Sequence, residues 1–97
     1  MIANVKKIGL VRIIVNRHFE EKIRLMTDMD FEKLFDFPVR YEGCDTENLY
    51  YVMEVPLNDL DDAYKDAVST IDFWVKEYKK SLHDQKKSEN GDFHIWE

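Results

Sequence analysis

Between Leu57 and about Gln85 the apolar residues Leu60, Tyr64, Ala67, Ile71, Trp74, Tyr78 and Leu82 recur in steps of three and four. That spacing holds them on one side of an α-helix and does not fit the two-residue period of a strand. Ala63, Val68 and Val75 widen the stripe on its flanks. The expected start is Pro56 followed by Asn58 as N-cap, with Asp59, Asp61 and Asp62 in the first turn. Lys76, Lys79 and Lys80 lie toward the other end, where the helix dipole favours cations. A polar run from Gln85 to Asn90-Gly91 ends the pattern.

The rest of the chain reads mostly as strands. Ile8–Asn16 is rich in β-branched residues and too short to favour a helix, and Arg12 places one face of it in solvent. Phe19–Met26 has two readings. Lys22-Ile23-Arg24-Leu25 alternates as a half-buried strand does, while Phe19, Ile23 and Met26 would line one side of a helix. The preferred expectation is a second strand, hairpinned to the first. A short helix then starts at Thr27 or Asp28, with Thr27 and Asp30 as a loose capping box, and Phe37-Pro38 ends it. Val39–Glu42 and Leu49–Val55 predict two more strands joined by the turn-rich Gly43–Asn48, with Tyr41 across from Tyr50 or Val52. Asp92–Trp96 alternates again and predicts a last strand or a packed tail.

The order ββαββα predicts an α+β fold: an antiparallel sheet of three to five strands on one long amphipathic helix. The expected core is Ile13, Val15, Tyr51, Met53 or Val52, and the helix residues Leu60, Tyr64, Ala67, Ile71 and Trp74. Ninety-seven residues suit one small domain over 1–97, with 86–97 as a flexible or packed tail.

Composition narrows the chemistry. Cys44 is the only cysteine, which excludes an internal disulfide and a zinc-knuckle spacing and suits a reducing, cytoplasmic setting, in a cell or in the host cell of a virus. Lys6-Lys7 before Ile8–Val11 starts like a signal peptide, but Arg12 interrupts the apolar run and no small-residue cleavage site follows. No stretch is long enough to span a membrane. His18, His83 and His94 form no ligand pair at helical or hairpin spacing, so neither a metal site nor any cofactor is expected. The acidic neighbours Glu42, Asp45 and Glu47 disfavour a Cys44 thiolate, and there is no phosphate loop or nucleophile elbow. No catalytic residue is expected.

The charge distribution is the informative feature. The net charge is −6, yet residues 1–27 carry six basic and two acidic side chains, and residues 28–72 carry three basic and thirteen acidic. Residues 73–97 carry five of each. The basic cluster of Lys6, Lys7, Arg12, Arg17, Lys22 and Arg24 could serve a nucleic-acid binder, but the acidic middle would repel a polyanion. The converse reading fits better. Asp59, Asp62 and Asp66 share a helix face, with Asp61 beside them and Asp72 further along. Asp45 and Glu47 at a hairpin tip, and Asp28, Asp30, Glu32 and Asp36 on the short helix, would extend the row, which Lys65 interrupts. Carboxylates every ~5 Å approach the ~3.4 Å spacing of phosphates along a DNA strand. The expectation is a small acidic binding or inhibitor protein that engages a basic protein surface, in its sharpest form as a nucleic-acid mimic. By analogy of class alone, such inhibitors are made by phages and mobile elements. The alternative is a small enzyme or ligand-binding module with no motif to mark it.

Length also predicts assembly. A helix of about 27 residues is roughly 40 Å long, against a width of about 30 Å for a domain of this size. An overhanging end carrying Phe73, Trp74, Val75, Tyr78 and Leu82 would need a cover, and a second copy making a homodimer through Phe73, Trp74, Tyr78 and Leu82 is the expected one, with the Phe93-Ile95-Trp96 tail as the alternative.

Overall fold

The computed structural model describes residues 2–86, with side chains described through Leu82. The Asp92–Trp96 strand or tail lies outside the described residues. The fold is α+β, with a four-stranded antiparallel sheet and a long helix across one face. The strands are β1 (Ala3–Lys7), β2 (Val11–Asn16), β3 (Arg40–Cys44) and β4 (Asn48–Met53), in the spatial order β1-β2-β4-β3. The helices are α1 (Arg17–Thr27) and α2 (Leu60–Lys86). Single 3-10 turns occupy Phe31–Leu34 and Leu57–Asp59.

The expected second strand over Phe19–Met26 is instead α1, and the first hairpin lies one element earlier, in β1 and β2. The Ile8–Asn16 strand therefore begins only at Val11. Lys7 pairs with Val11, and Ile8-Gly9-Leu10 is a three-residue turn in which Gly9 takes a φ of 71°, a left-handed conformation that favours glycine. Asn16 is both the last residue of β2 and the N-cap of α1, where its side-chain oxygen accepts the His18 N–H at 2.8 Å. The strand thus turns directly into a helix. The helical period buries Phe19 and Ile23, whereas the strand period would have buried Leu25, which is 69% exposed.

The Thr27 capping box does not form. Thr27 Oγ1 donates back to the Ile23 carbonyl, and Asp28 ends α1 in the left-handed region at φ 58°. The expected short helix shrinks to the Phe31–Leu34 turn, which seats Phe31 and Phe35 in the core. Asn58 is not the N-cap of the long helix. It lies inside the Leu57–Asp59 turn, whose cap is Pro56. Tyr41 pairs with Tyr51 rather than Tyr50 or Val52, because a register shift between Tyr41 and Gly43 displaces the strand by one residue.

The core joins Ala3, Val11, Ile13, Val15, Tyr51 and Met53 of the sheet to Phe19, Ile23, Phe31 and the α2 residues Ala63, Ala67, Ile71 and Val75. The midline of the helix stripe is therefore rotated from the expected one. Ala63 and Val75 are fully buried, while Leu60, Tyr64 and Trp74 only flank the core. Small side chains along the midline let the helix backbone approach the sheet closely, and the larger ones seal its sides. Among the described residues, no helix lies over the opposite sheet face. There Val52, 1% exposed, lies between Arg12 and Arg40, which are paired with Glu42 at 2.6 Å and Glu54 at 2.9 Å. The aliphatic stems of such side chains cover apolar surface while their charged ends stay in water.

Candidate functional site

The acidic residues separate by what each one holds. Asp45 organises the β3–β4 turn, accepting the backbone N–H groups of Glu47 (2.8 Å) and Asn48 (2.7 Å) and the hydroxyl of Tyr50. The Tyr50 hydroxyl is the main cause, with the two backbone donors, of an Asp45 carboxyl held below its ordinary value. Asp61 pairs with Lys7 of β1 at 2.6 Å, which lowers its pKa and ties the start of α2 to the sheet edge. Asp72 pairs with Lys76 at 3.1 Å along α2. Glu47 contributes its backbone carbonyl, which accepts the Arg17 N–H at 2.9 Å, while its side chain is exposed.

Asp66 is different. One oxygen accepts the backbone N–H of Asp36 at 3.0 Å, and the other lies 3.5 Å from Thr70 Oγ1. Burial raises its pKa, and the neighbouring Asp36 carboxylate adds to the rise. This clasp holds the backbone at Asp36 against the helix at Asp66. Asp28, Asp30 and Asp36 are exposed, as are Asp59 and Asp62 on α2's side; Asp28 and Asp30 line an open concavity with Arg24 and Lys33, and Lys65 is an exposed cation close in the chain to Asp62 and Asp66. A local pattern shows neither this juxtaposition nor the Asp36 donor, because the two stretches are thirty residues apart.

The apolar residues expected at the helix end are also partly consumed. Tyr78 meets Phe19 edge to face at 5.3 Å, Trp74 packs against the core, and Leu82 is half-buried. Phe73 stays 52% exposed, its ring held edge to face on Trp74 at 4.8 Å.

A concavity lies between the N-terminus of α1 and the β3–β4 turn. It is an open cleft of about 660 Å³ lined among others by Arg17, His18, Glu20, Glu21, Arg24 and Glu47. Its cations are already engaged. Arg17 donates twice to the Asp45 carbonyl (2.8 and 3.0 Å) and once to Cys44 Sγ (3.1 Å), and Arg24 pairs with the nearly buried Glu20 at 3.2 Å. The guanidinium on Cys44 was hidden in the sequence, where only acids neighbour the thiol. In the core, burial pushes the Tyr51 hydroxyl well above its ordinary pKa, with Glu20 and Glu32 adding to it.

Among the described residues, no three His, Cys, Asp or Glu side chains gather as a metal site, and no helix is long and apolar enough to cross a membrane. No family model, curated protein or solved structure matches the chain. The fold defines a small α+β protein.

Proposed function

We propose that this is a small binding protein, not an enzyme, whose acidic flank engages a basic surface on a protein partner, in the manner of a nucleic-acid mimic. The Asp36-to-Asp66 hydrogen bond supports this reading, because it links the end of one acidic stretch to the other. Clustered like charge costs self-repulsion that interspersed charge would avoid, and a basic partner relieves it. The working carboxylates are Asp59 and Asp62 with Asp28, Asp30 and Asp36, joined by Asp66, which also holds the Asp36 N–H, while Asp45 and Asp61 spend their charge on the fold. The mechanism is competition: the carboxylates occupy Lys and Arg side chains that otherwise hold phosphates, and the field of the flank speeds encounter.

The test begins with a partner captured from the source cell at low salt. Asp59→Asn, Asp62→Asn and Asp66→Asn are combined; the third change retains a side-chain oxygen for the Asp36 N–H, and circular dichroism checks the fold. Affinity should fall and its salt dependence should flatten. An unchanged affinity and salt slope would reduce the acidic flank to a solvated surface.

A further inference from the structure

The outward face of α2 has a heptad repeat of its own. From the turn before the helix onward, Asp59, Asp62, Asp66, Ser69, Phe73, Lys76 and Lys80 follow one another in alternating steps of three and four. All are exposed except the half-buried Asp66, and they lie opposite the buried Ala63-Ala67-Ile71-Val75 row. Along this seam the charge changes sign once: three acids, then Ser69 and Phe73, then two lysines. From Asp62 to Lys80 such a sequence is its own complement when reversed.

We infer that this face of α2 docks against the same face of a second copy, antiparallel and related by a two-fold axis between Ser69 and Phe73. In an antiparallel pair, alternate seam positions meet one another in layers. Phe73 then covers Ser69 of the second copy, Asp66 faces Lys76, and Asp62 faces Lys80. Symmetry repeats each contact, so the Asp66–Lys76 and Asp62–Lys80 layers are paired in sign on both sides. In the opposite, parallel alignment, acids would face acids and lysines lysines.

Three further observations fit. Phe73 is the large apolar side chain at the centre of the seam, and its ring is fixed against Trp74 rather than free to fold away. Lys76 and Lys80 are exposed and held within their own helix by pairs to the half-buried Asp72 at 3.1 Å and Glu77 at 3.5 Å. Such pairs are worth little and exchange readily. The Asp36 carboxylate beside Asp66 adds negative charge where the second copy's Lys76 would sit. This interface differs from one built on Trp74, Tyr78 and Leu82, of which Trp74 and Tyr78 pack against the protein's own core. A single helix face buries less than a standard interface, so the association should be weak and salt-sensitive.

The inference stands apart from the proposed function, but constrains it. Asp62 cannot meet both a second copy and another basic partner, so dimer formation and partner binding compete.

Sedimentation of the full chain at low ionic strength tests it without any partner. Wild type should dimerise, and added salt should shift it to monomer. Asp62→Lys alone and Lys80→Glu alone should each weaken the dimer about tenfold or more, since each places like charges in two symmetric layers. Mixing the two variants should restore association, because every layer of the mixed pair again carries opposite signs. Phe73→Asp, with the fold checked by circular dichroism, should leave monomer. A monomeric wild type, or a dimer indifferent to Phe73→Asp and to both charge reversals, would overturn the inference. Singles that fail to recover on mixing would overturn the antiparallel register.

Discussion

The two long faces of α2 are held by different physics. Inward, Ala63, Ala67, Ile71 and Val75 are fully buried against the sheet and against Phe19 and Phe31. Outward, Asp62, Ser69, Phe73, Lys76 and Lys80 meet solvent. The inner face is determined by shape: the helix can lie where it does only because two alanines occupy the line of closest approach. The outer face is determined by charge, and its side chains have few neighbours to constrain them. Substitutions on the first face should therefore act on folding and be indifferent to salt. Those on the second should act on association and be strongly salt-dependent.

The largest expected effect is at the inner face. Ile71→Ala removes a fully buried side chain from among packed neighbours and should cost ~2–5 kcal/mol, read from denaturant melting. A cost under about half a kcal/mol would mean that the row is not the core. Ala67→Leu tests the close approach directly. Overpacking there should cost about 1–3 kcal/mol, because the helix must lift from the sheet. If the larger side chain is tolerated without loss, the alanine line does not set the helix position.

Asp66 stands at the boundary between the faces. Asp66→Ala leaves the Asp36 N–H without its acceptor and should cost about 1 kcal/mol, with faster hydrogen exchange in the 31–37 segment. Its pH dependence has a definite sign. A carboxyl raised above 3.8 in the folded state binds its proton more tightly there than in the unfolded chain. Its contribution is thus greatest below 3.8 and declines as pH rises through the folded value. The stability of wild type relative to Asp66→Asn should fall over that interval, in melts run at successive pH values. A difference that rises with pH would put the Asp66 carboxylate in a charge-stabilising environment instead.

The smallest expected effect is on the outer face. Asp62→Asn and Lys80→Gln should each change monomer stability by less than about half a kcal/mol, while altering association and its salt slope. A melting midpoint that moves as far as that of Ile71→Ala would erase the distinction between the two faces.

The sequence by itself determined the long helix, because seven apolar residues at helical spacing admit no other periodic structure. It also determined the α+β class, the β4 strand and most of β2, and the uneven charge of the chain. It did not determine α1. Lys22–Leu25 satisfies both periods, and the choice fell to Asn16 capping the turn and to Phe31 and Tyr78 closing over Phe19. Nor did it determine the midline of the α2 stripe. Apolar spacing gives the width of a buried face, but which residue lies deepest depends on the elements that cover it, here β1 and β2 together with α1 and the Phe31–Phe35 segment. The acidic surface was legible as a list of carboxylates and not as a surface. Only the tertiary structure decided which of them hold turns and clasps and which stand free, because hydrogen bonds such as Asp36 to Asp66 and ion pairs such as Lys7 to Asp61 form between residues that are distant in the chain and adjacent only once it has folded.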